Sequence, residues 1–239
     1  MGVLGLEDVA FAPAWQDVDY VPRRVVALVP ARGGSKGIPH KNLAKIGKQT
    51  LLDRTISQGL KECDSVVVSS EDGTILAHAE QCGATALRRP PQLSEDDTPT
   101  EAVIDHFLKS GHYEHCNIVL LQCTSPFREP GDISVAVSML LNFDTVLSVV
   151  ADHTFTWEKH WDNSGHPLNY HPHARPRRQD IRQYRENGSV YCFTQHTFRR
   201  YGNRLGGKIG LYVMDEKCGI QIDTPFDLAI ANMMAEKWE

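Results

Sequence analysis

The sequence predicts one α/β domain of the Rossmann-like type, in which helices flank a mainly parallel sheet and an inserted excursion spans about residues 152–185. Three observations predict this fold. From residue 25 onward, short β-branched runs alternate with helical patterns, which is typical of a parallel sheet covered by helices. The chain has 239 residues, 41% of them hydrophobic, which suits one sizeable domain and is short for two. Residues 152–185 lack any sustained apolar period.

The first strand and helix are the most clearly marked elements. Residues 25–29 are a continuous apolar run that predicts a strand. A helix is predicted at residues 51–60, because Thr50 and Asp53 have the spacing of a capping box and the apolar residues after them share one face.

The next unit repeats the strand–helix order. Residues 65–70 form a β-branched strand, and a short helix is predicted around residues 75–79. Gly83 ends this helix, since glycine readily takes the left-handed conformation of a helix C-terminus. A third strand follows at residues 84–87.

A proline-rich loop at residues 88–93 leads into a helix that Gly111 ends. A central strand is predicted at residues 117–122, and Pro130 suits the first turn of the following helix. Residues 145–150 give another strand. The helix before Gly111 is defined by its apolar face: Val103, Ile104, Phe107 and Leu108.

The excursion at residues 152–185 is rich in His, Pro, Arg, Asn and Trp, and it predicts a β-ribbon that meets a second subunit in a homodimer. Strands resume at residues 189–193 and 208–213. The last helix opens at a capping box formed by Thr224 and Asp227, with a proline at the first helical position.

Composition excludes several classes of function. A net charge of -5 and a pI of about 6.1 argue against a nucleic-acid-binding surface. No segment approaches the roughly 20 apolar residues that span a bilayer, so no membrane association is expected. Residues 1–24 lack the basic start and apolar stretch of a signal peptide and are interpreted as an extension. The cysteines are scattered without a C-x-x-C pair, which predicts reduced thiols in a cytoplasmic protein.

The strongest local motif is a glycine-rich, basic loop directly after the first strand. Glycines allow backbone N–H groups to turn toward a phosphate, and Arg32, Lys36 and Lys41 add three cations within ten residues. This density of charge indicates a triphosphate. The spacing matches neither the P-loop nor the dinucleotide fingerprint, so the loop alone also fits an ordinary solvated loop. Residues 31–42 read ARGGSKGIPHKN.

Together with later segments, this loop resembles the CMP-sialic acid synthetases, or acylneuraminate cytidylyltransferases. The resemblance covers nearly the whole chain from residue 25, and it implies a nucleotidyltransferase domain at residues 25–239. The later segments that carry it are RP at 89–90, DTPT at 97–100, LLQCTSPFR at 120–128, RRQD at 177–180, YRENG at 184–188 and IDTP at 222–225.

The resemblance implies that Arg32, Lys36 and Lys41 are catalytic, holding the phosphates of CTP and stabilising charge on the leaving pyrophosphate. Asn42 would read the cytosine edge, because an amide can both donate and accept. From the residues alone, Asn42 equally suits a turn. The nucleotide-binding residues that the family implies are Gly33, Gly34, Ser35, Asn42, Arg89, Thr98 and Thr100.

The acidic sugar is expected beside the end of the central strand, where ligands bind in open α/β sheets. The resemblance implies that Gln122 contacts this sugar together with Thr124 and Ser125. Thr124 and Ser125 also suit the cap of a following helix.

Arginines in the excursion are the candidates for binding the carboxylate of the sugar, because a guanidinium can bind a carboxylate through two parallel hydrogen bonds. The resemblance assigns this role to Arg177 and Arg185, with Tyr191 lining the same pocket. The same arginine-rich stretch, which includes Arg175 and Arg182, also suits a solvated surface or a dimer contact.

Nucleotidyl transfer implies Mg²⁺, for which Mn²⁺ can substitute. Family members often carry two aspartates in an Ile-Asp-Ile-Asp run, whereas this chain has Gln221 in the first position, which leaves Asp223 as the metal ligand. Asp227 suits a helix cap. The histidines between residues 153 and 173 have no zinc-site spacing, and no metal is expected there.

The implied reaction is attack by the anomeric hydroxyl of a nine-carbon acidic sugar on the α-phosphorus of CTP. Three alternatives remain open. A CMP-KDO synthetase would take an eight-carbon sugar, although that family typically has Gln-Gly-Asp-Glu-Pro where this chain has residues 122–126. A guanylyltransferase would differ in a few base contacts. A nucleotide-binding module without activity is favoured only by Gln221.

Overall fold

The computed structural model describes residues 23–238, so nearly all of the predicted N-terminal extension lies outside the described residues. Strands are numbered in chain order: β1 (Arg24–Pro30), β2 (Lys45–Ile46), β3 (Gln49–Thr50), β4 (Ser65–Ser70), β5 (Thr85–Arg88), β6 (Cys116–Leu121), β7 (Thr145–Asp152), β8 (Trp157–Lys159), β9 (Gly165–Pro167), β10 (Gln183–Thr194) and β11 (Ile209–Val213). The helices are α1 (Leu51–Glu62), α2 (Gly73–Gln81), α3 (Thr100–Lys109), α4 (Asp132–Ser138), α5 (Gln195–Tyr201) and α6 (Pro225–Trp238).

The predicted mainly parallel sheet is confirmed. Within residues 23–238, seven strands form one sheet in the order β5-β4-β1-β6-β10-β7-β11. Strand β10 runs antiparallel to both of its neighbours, while every other pair in this sheet is parallel.

Helices cover both faces of the sheet, which explains why its central strands are apolar throughout. On β1, Ala27 and Val29 face a core shared with α1, α2, α4 and α6, while Val26 and Leu28 face a core shared with α3 and α5. Alternate residues face opposite cores because side chains along a strand point to the two faces of the sheet in turn. This alternation of buried residues fixes the register of β1 with β4 and β6.

Two helix starts obey the predicted capping rules. The Thr50 hydroxyl accepts a hydrogen bond from the Asp53 N–H at 3.0 Å, and the Asp53 carboxylate accepts one from the Thr50 N–H at 2.9 Å. Thr224 and Asp227 make the same reciprocal pair at the start of α6. Both capping boxes are confirmed.

Some element boundaries were predicted wrongly. Helix α4 begins at Asp132 rather than at Pro130, because the Asp132 carboxylate accepts from the Glu129 N–H at 2.6 Å and closes a turn before the helix. Strand β10 begins at Gln183, six residues before the predicted start, because polar residues pair with β7 ahead of an irregularity between Glu186 and Tyr191. Helix α5 was not predicted, although Thr194 caps it through the Thr197 N–H.

The excursion contains the predicted β-ribbon. Strands β8 and β9 pair antiparallel and form a two-stranded sheet apart from the main one. Trp157 and Trp161 on this ribbon are 55% and 96% exposed. The helices of residues 23–238 include none that is both long and apolar enough for a membrane span.

Candidate active site

A cavity of about 230 Å³ opens at the carboxyl edge of the sheet. Strands β4, β1 and β6 are adjacent and parallel, so the loops that follow them meet at this edge. Loop residues and the start of α3 supply the lining. The predicted site residues that line it are Arg32, Gly34, Ser35, Lys41, Asn42, Arg89, Thr98, Thr100, Gln122 and Thr124.

Two glycines of the loop after β1 lie so close to their neighbours that a side chain would not fit. A Cβ on Gly33 would lie 2.4 Å from Asp72 Oδ2, and one on Gly37 would lie 2.4 Å from the backbone oxygen of Asp223. At Gly34 a Cβ would meet nothing within 4 Å. Two of these glycines therefore pack the loop against its supports, and the third faces open space.

Two of the predicted catalytic cations share one carboxylate. Arg32 Nη1 and Lys36 Nζ each lie 2.7 Å from an oxygen of Asp96, on the loop before α3. Hydrogen bonds from Lys36 and Arg32 lower the pKa of Asp96, so this carboxylate is ionised at neutral pH. Asp96 lines the cavity and was not predicted as a site residue.

The third cation is held from the opposite end of the chain. Lys41 Nζ lies 2.9 Å from Asp223 Oδ1, and the lysine side chain is 17% exposed while the aspartate side chain is 67% exposed. The Ile222 N–H donates to the Thr124 carbonyl at 2.8 Å, which anchors the Asp223 segment to the end of β6. The structure thus brings the predicted metal ligand next to the glycine-rich loop.

Arg89 forms a wall of the cavity, and its guanidinium already has protein partners. It donates to Ser94 Oγ at 2.7 Å, to the Ser69 carbonyl at 3.0 Å and to Glu71 Oε2 at 3.4 Å. Burial lowers the pKa of Arg89, partly offset by the charge of Glu71. These contacts give Arg89 a supporting role in the wall of the cavity.

Glu71 links Arg89 to the glycine-rich loop. Its Oε1 accepts from the Gly33 N–H at 2.7 Å. Burial alone would raise the pKa of Glu71, but hydrogen bonds from Ser94 and Gly33 and the charge of Arg89 outweigh burial and lower it. Glu71 was missed, although it directly follows β4 at the edge where ligands bind.

Asn42 closes the loop and also lines the cavity. The side-chain amide donates to the Arg32 carbonyl at 2.8 Å and so closes the loop, as a turn residue would. The same residue lines the cavity next to Lys41. Thr98 also lines the cavity, and its hydroxyl donates to the Gln92 carbonyl at 3.2 Å.

Two glutamines lie together where the cavity meets β10. A Cβ on Gly188, whose φ is +64°, would lie 2.7 Å from Gln122 Oε1 and 2.6 Å from Gln221 Nε2. Glycine is therefore required at 188 by both conformation and space. Gln221, the residue that replaces an aspartate in the resembled family, faces Gln122 across this glycine.

Four of the predicted sugar-binding residues do not line the cavity. The Ser125 side chain is fully buried, and its hydroxyl donates to the Asn187 carbonyl at 2.8 Å. Arg177 is exposed and pairs with Asp180 at 2.8 Å. Arg185 donates to the Gly219 carbonyl at 3.3 Å, on the segment that leads to Asp223.

Tyr191 belongs to a network that the sequence did not predict and that reaches the first turn of α3 through Arg204. Its hydroxyl donates to the Glu186 carboxylate, and its ring faces the guanidinium of Arg204 with 4.8 Å between the ring centroid and Cζ. Arg204 pairs in turn with Glu101, next to the cavity residue Thr100. Burial, with Glu186 as a further cause, raises the pKa of Tyr191.

The predicted magnesium ligand fits a site in which phosphates supply most ligands. Mg²⁺ is usually held by one or two carboxylates together with water and substrate phosphates. Asp223 is one exposed carboxylate beside the cationic loop, whereas Gln221 offers only an amide. The donor set suits a cation that arrives with a polyphosphate.

The sequence matches a family described as cytidylyltransferase over residues 26–236. It is 36% identical to N-acylneuraminate cytidylyltransferase A from Danio rerio over 217 residues, which cover 87% of this chain and 50% of that protein. It is 29% identical to an N-acylneuraminate cytidylyltransferase from Escherichia coli over 231 residues, or 90% of this chain and 52% of that protein. The chain spans about half the length of these relatives.

Solved structures of low sequence identity share the fold. A CMP:2-keto-3-deoxy-manno-octonic acid synthetase complexed with CTP has a TM-score of 0.69 at 15% identity, covering 90% of this chain and 99% of that one. A 4-diphosphocytidyl-2C-methyl-D-erythritol synthase from Anaerococcus prevotii has a TM-score of 0.65 at 14% identity, covering the same shares. The Rossmann-like prediction is confirmed.

Proposed function

The chain belongs to the cytidylyltransferase family, and on that premise we propose that it transfers CMP from CTP to a nine-carbon acidic sugar. The acceptor class follows from the names of the curated relatives, which are N-acylneuraminate cytidylyltransferases. Sialic acid and related nonulosonic acids are the acceptors of this proposal. The products are a CMP-sugar and pyrophosphate.

One observation carries the proposal. Arg32, Lys36 and Lys41 extend from a single glycine-rich loop at the carboxyl edge of a parallel sheet, with Asp223 beside them. Such a density of cations suits the charge of a nucleoside triphosphate. Arg32 and Lys41 line the cavity directly, and the open space at Gly34 leaves room for phosphate oxygens.

The reaction that these residues support is an in-line displacement. The anomeric hydroxyl loses its proton to solvent, and its oxygen forms a bond to the α-phosphorus as the bond from that phosphorus to the bridging oxygen of pyrophosphate breaks. Arg32, Lys36 and Lys41 stabilise the negative charge that moves onto the leaving pyrophosphate. The enzyme forms no covalent bond to either substrate.

Asp223 would hold Mg²⁺, or Mn²⁺ in its place, together with phosphate oxygens and water. When bound, such a cation neutralises charge on the phosphates. Lys41 pairs with Asp223 in the structure, so a cation on this carboxylate would release the ammonium group toward the phosphates.

The acidic sugar would lie at the end of β6 that carries Gln122 and Thr124. Both residues line the cavity next to the nucleotide loop. Arg185 is the better candidate for the sugar's carboxylate, because it contacts the segment that bears Asp223, whereas Arg177 pairs with a neighbouring aspartate. Its hydrogen bonds to Gly219 are long, at 3.3 Å, and are therefore readily exchanged.

We place this activity in the cytoplasm and in a homodimer. The six cysteines are free thiols, as a reducing compartment would keep them. The exposed tryptophans of the β8–β9 ribbon give a surface that a second copy would cover.

The test is to incubate the purified protein with CTP, Mg²⁺ and each of several acids, and to detect products by mass spectrometry. The acids are N-acetylneuraminic, deaminated neuraminic, legionaminic, pseudaminic and the eight-carbon KDO. We expect a CMP-sugar from at least one nine-carbon acid and little from KDO. A product from KDO alone, or from GTP in place of CTP, would contradict the proposal.

A further inference from the structure

A second group of potential ligand side chains lies away from the active site, between α1 and α2. It consists of Asp53, His78 and Cys82, whose donor atoms all lie within 4.8 Å of one another. None of the three lines the cavity at the carboxyl edge. At 1.5 Å per residue, His78 and Cys82 lie about 8 Å and about 14 Å along α2 from its first residue, Gly73, which is near Gly33.

The local fold brings the three potential metal-ligand atoms close together. His78 and Cys82 are four residues apart at the end of α2, so they share a helix face. Asp53 lies in the first turn of α1, where its Oδ2 accepts from the Thr50 N–H and completes the capping box. Its Oδ1 is directed the other way, 2.5 Å from His78 Nε2 and 3.2 Å from Cys82 Sγ.

Hydrogen bonds hold the cluster together when no cation is present. The Cys82 thiol donates to Asp53 Oδ1 at 3.2 Å, and His78 Nε2 lies 2.5 Å from the same oxygen. Metal ligation is a chemistry that uses all three side chains, because one cation replaces the protons that they share.

The donor types select the cation. An imidazole nitrogen, a thiolate and a carboxylate oxygen are ligands of Zn²⁺, whereas Mg²⁺ prefers oxygen alone. Tetrahedral zinc with bonds of about 2.0 to 2.3 Å needs donors about 3.3 to 3.6 Å apart, so each close pair would separate by less than about 1 Å. The third pair, His78 Nε2 and Cys82 Sγ, lies within 4.8 Å and would approach by up to about 1.5 Å, a movement that side-chain rotations can supply.

A fourth ligand has room to enter. A surface hollow of about 480 Å³ is lined by Asp53 and Cys82 together with Ser57 and Lys61. Water or a small anion in this hollow would reach a cation held by the three side chains. A three-ligand site with one open position is typical of zinc sites that exchange a bound ligand.

We propose that Asp53, His78 and Cys82 bind Zn²⁺ or a similar divalent cation, with one position open to the hollow beside α1. The site is independent of the nucleotide cavity and of the proposed transfer reaction. Because it joins the start of α1 to the end of α2, bound metal stabilises the packing of these two helices.

The test is to titrate the metal-free protein with Co²⁺ and record absorption. We expect a thiolate-to-cobalt band in the near ultraviolet and tetrahedral bands in the visible, saturating at one equivalent, and displacement of both by Zn²⁺. Cys82→Ser should abolish the thiolate band, and His78→Gln should weaken binding at least tenfold. The matched controls are Cys63→Ser, another half-buried cysteine, and Asp223→Asn in the active site, and both should bind as the unaltered protein does.

A second measurement uses the unaltered protein, so its result does not depend on whether a variant folds. Zn²⁺ should protect Cys82, but not Cys63, from alkylation by iodoacetamide as read by peptide mass spectrometry. The proposal is overturned if one equivalent of Co²⁺ gives no thiolate band, if Cys63→Ser loses the band as Cys82→Ser does, or if Zn²⁺ leaves the labelling of Cys82 unchanged.

Discussion

The ion pair between Lys41 and Asp223 joins two residues that are 182 positions apart in the sequence. Lys41 is largely buried by its surroundings, and the pair lies where the glycine-rich loop meets the end of β6. A phosphate that approaches this point meets a cation with little freedom to move. At the residue scale, this contact places the proposed metal ligand beside a cation of the proposed phosphate site.

Lys41→Ala should therefore reduce kcat/KM for CTP by about 10²- to 10³-fold, the loss typical of one preorganised charge-stabilising group. Pyrophosphate release measures it, and urea unfolding should show that the variant remains folded. Lys48→Ala is the matched control, since Lys48 is exposed and does not line the cavity. A rate for Lys41→Ala close to that of Lys48→Ala would remove Lys41 from the mechanism.

Asp96 is a carboxylate that lies between two cations of the proposed phosphate site. It pairs with Arg32 and Lys36, the same cations that the phosphates of CTP would need. Asp96→Asn should lower KM for CTP by about two- to fivefold, because an exposed pair of this kind contributes little and competes with the substrate. Initial rates at varied CTP measure the change, with Asp97→Asn as the neighbouring control. An increase in KM would show that Asp96 helps binding instead.

The roles of individual site residues were the hardest feature of the site to predict from the sequence. Arg32, Lys41 and Asp223 could be selected only through the family resemblance, because the basic glycine loop alone also fits an ordinary solvated loop. Asp96 and Glu71 could not, since a carboxylate beside an anion site contradicts simple charge matching. The burial of Ser125 under β10 depends on a strand more than sixty residues away, which no local pattern shows.

At the scale of elements, the glycine-rich loop is shaped by its packing against the segments that precede α2 and α6. Gly33 lies against the start of α2 and Gly37 against the backbone before α6, while Gly34 is open. The sequence gives no reason to distinguish the three glycines. Their roles differ because different atoms surround each of them in the folded structure.

Gly37→Ala should therefore destabilise the protein by about 1–3 kcal/mol and displace the loop, because its Cβ would meet a backbone oxygen that cannot move aside easily. Gly34→Ala is the matched control and should change stability by less than about 0.5 kcal/mol. Urea denaturation compares the two. Equal stabilities would show that the loop does not depend on its contact with Asp223.

Strands and capped helices were predicted well because their signals are local. The capping boxes of α1 and α6, and the apolar run of β4, each need only a few neighbouring residues. Helix α5 and the polar start of β10 were missed because their partners lie elsewhere in the chain. Strand β10 begins where it pairs with β7, and the hydrophobic pattern of β10 itself does not mark that position.

At the scale of the whole molecule, sheet order explains the site. The adjacent strands β4, β1 and β6 place Glu71, the glycine-rich loop and Gln122 side by side. Antiparallel β10 then brings Gly188 between Gln122 and Gln221. The parallel sheet could be predicted from alternation, but its order and the reversed strand follow from long-range packing alone.

The ribbon gives the molecule a second large-scale feature. Trp161 is almost fully exposed, and a free aromatic surface of this kind favours association. Light scattering after size exclusion should give twice the chain mass of 26.8 kDa. Trp157→Glu with Trp161→Glu should give the single chain mass. A monomer without these changes, or a dimer that survives them, would contradict the assignment of the ribbon to dimerisation.

The central claim is that the cavity at the carboxyl edge of the sheet holds the triphosphate of CTP. A crystal structure with CTP and Mg²⁺ tests it most directly. We predict phosphate oxygens within hydrogen-bond distance of Arg32, Lys36 and Lys41, the cation on Asp223, and cytosine beside Asn42. Nucleotide bound elsewhere on the protein, with the pairs of Asp96 and Asp223 unchanged, would contradict the account.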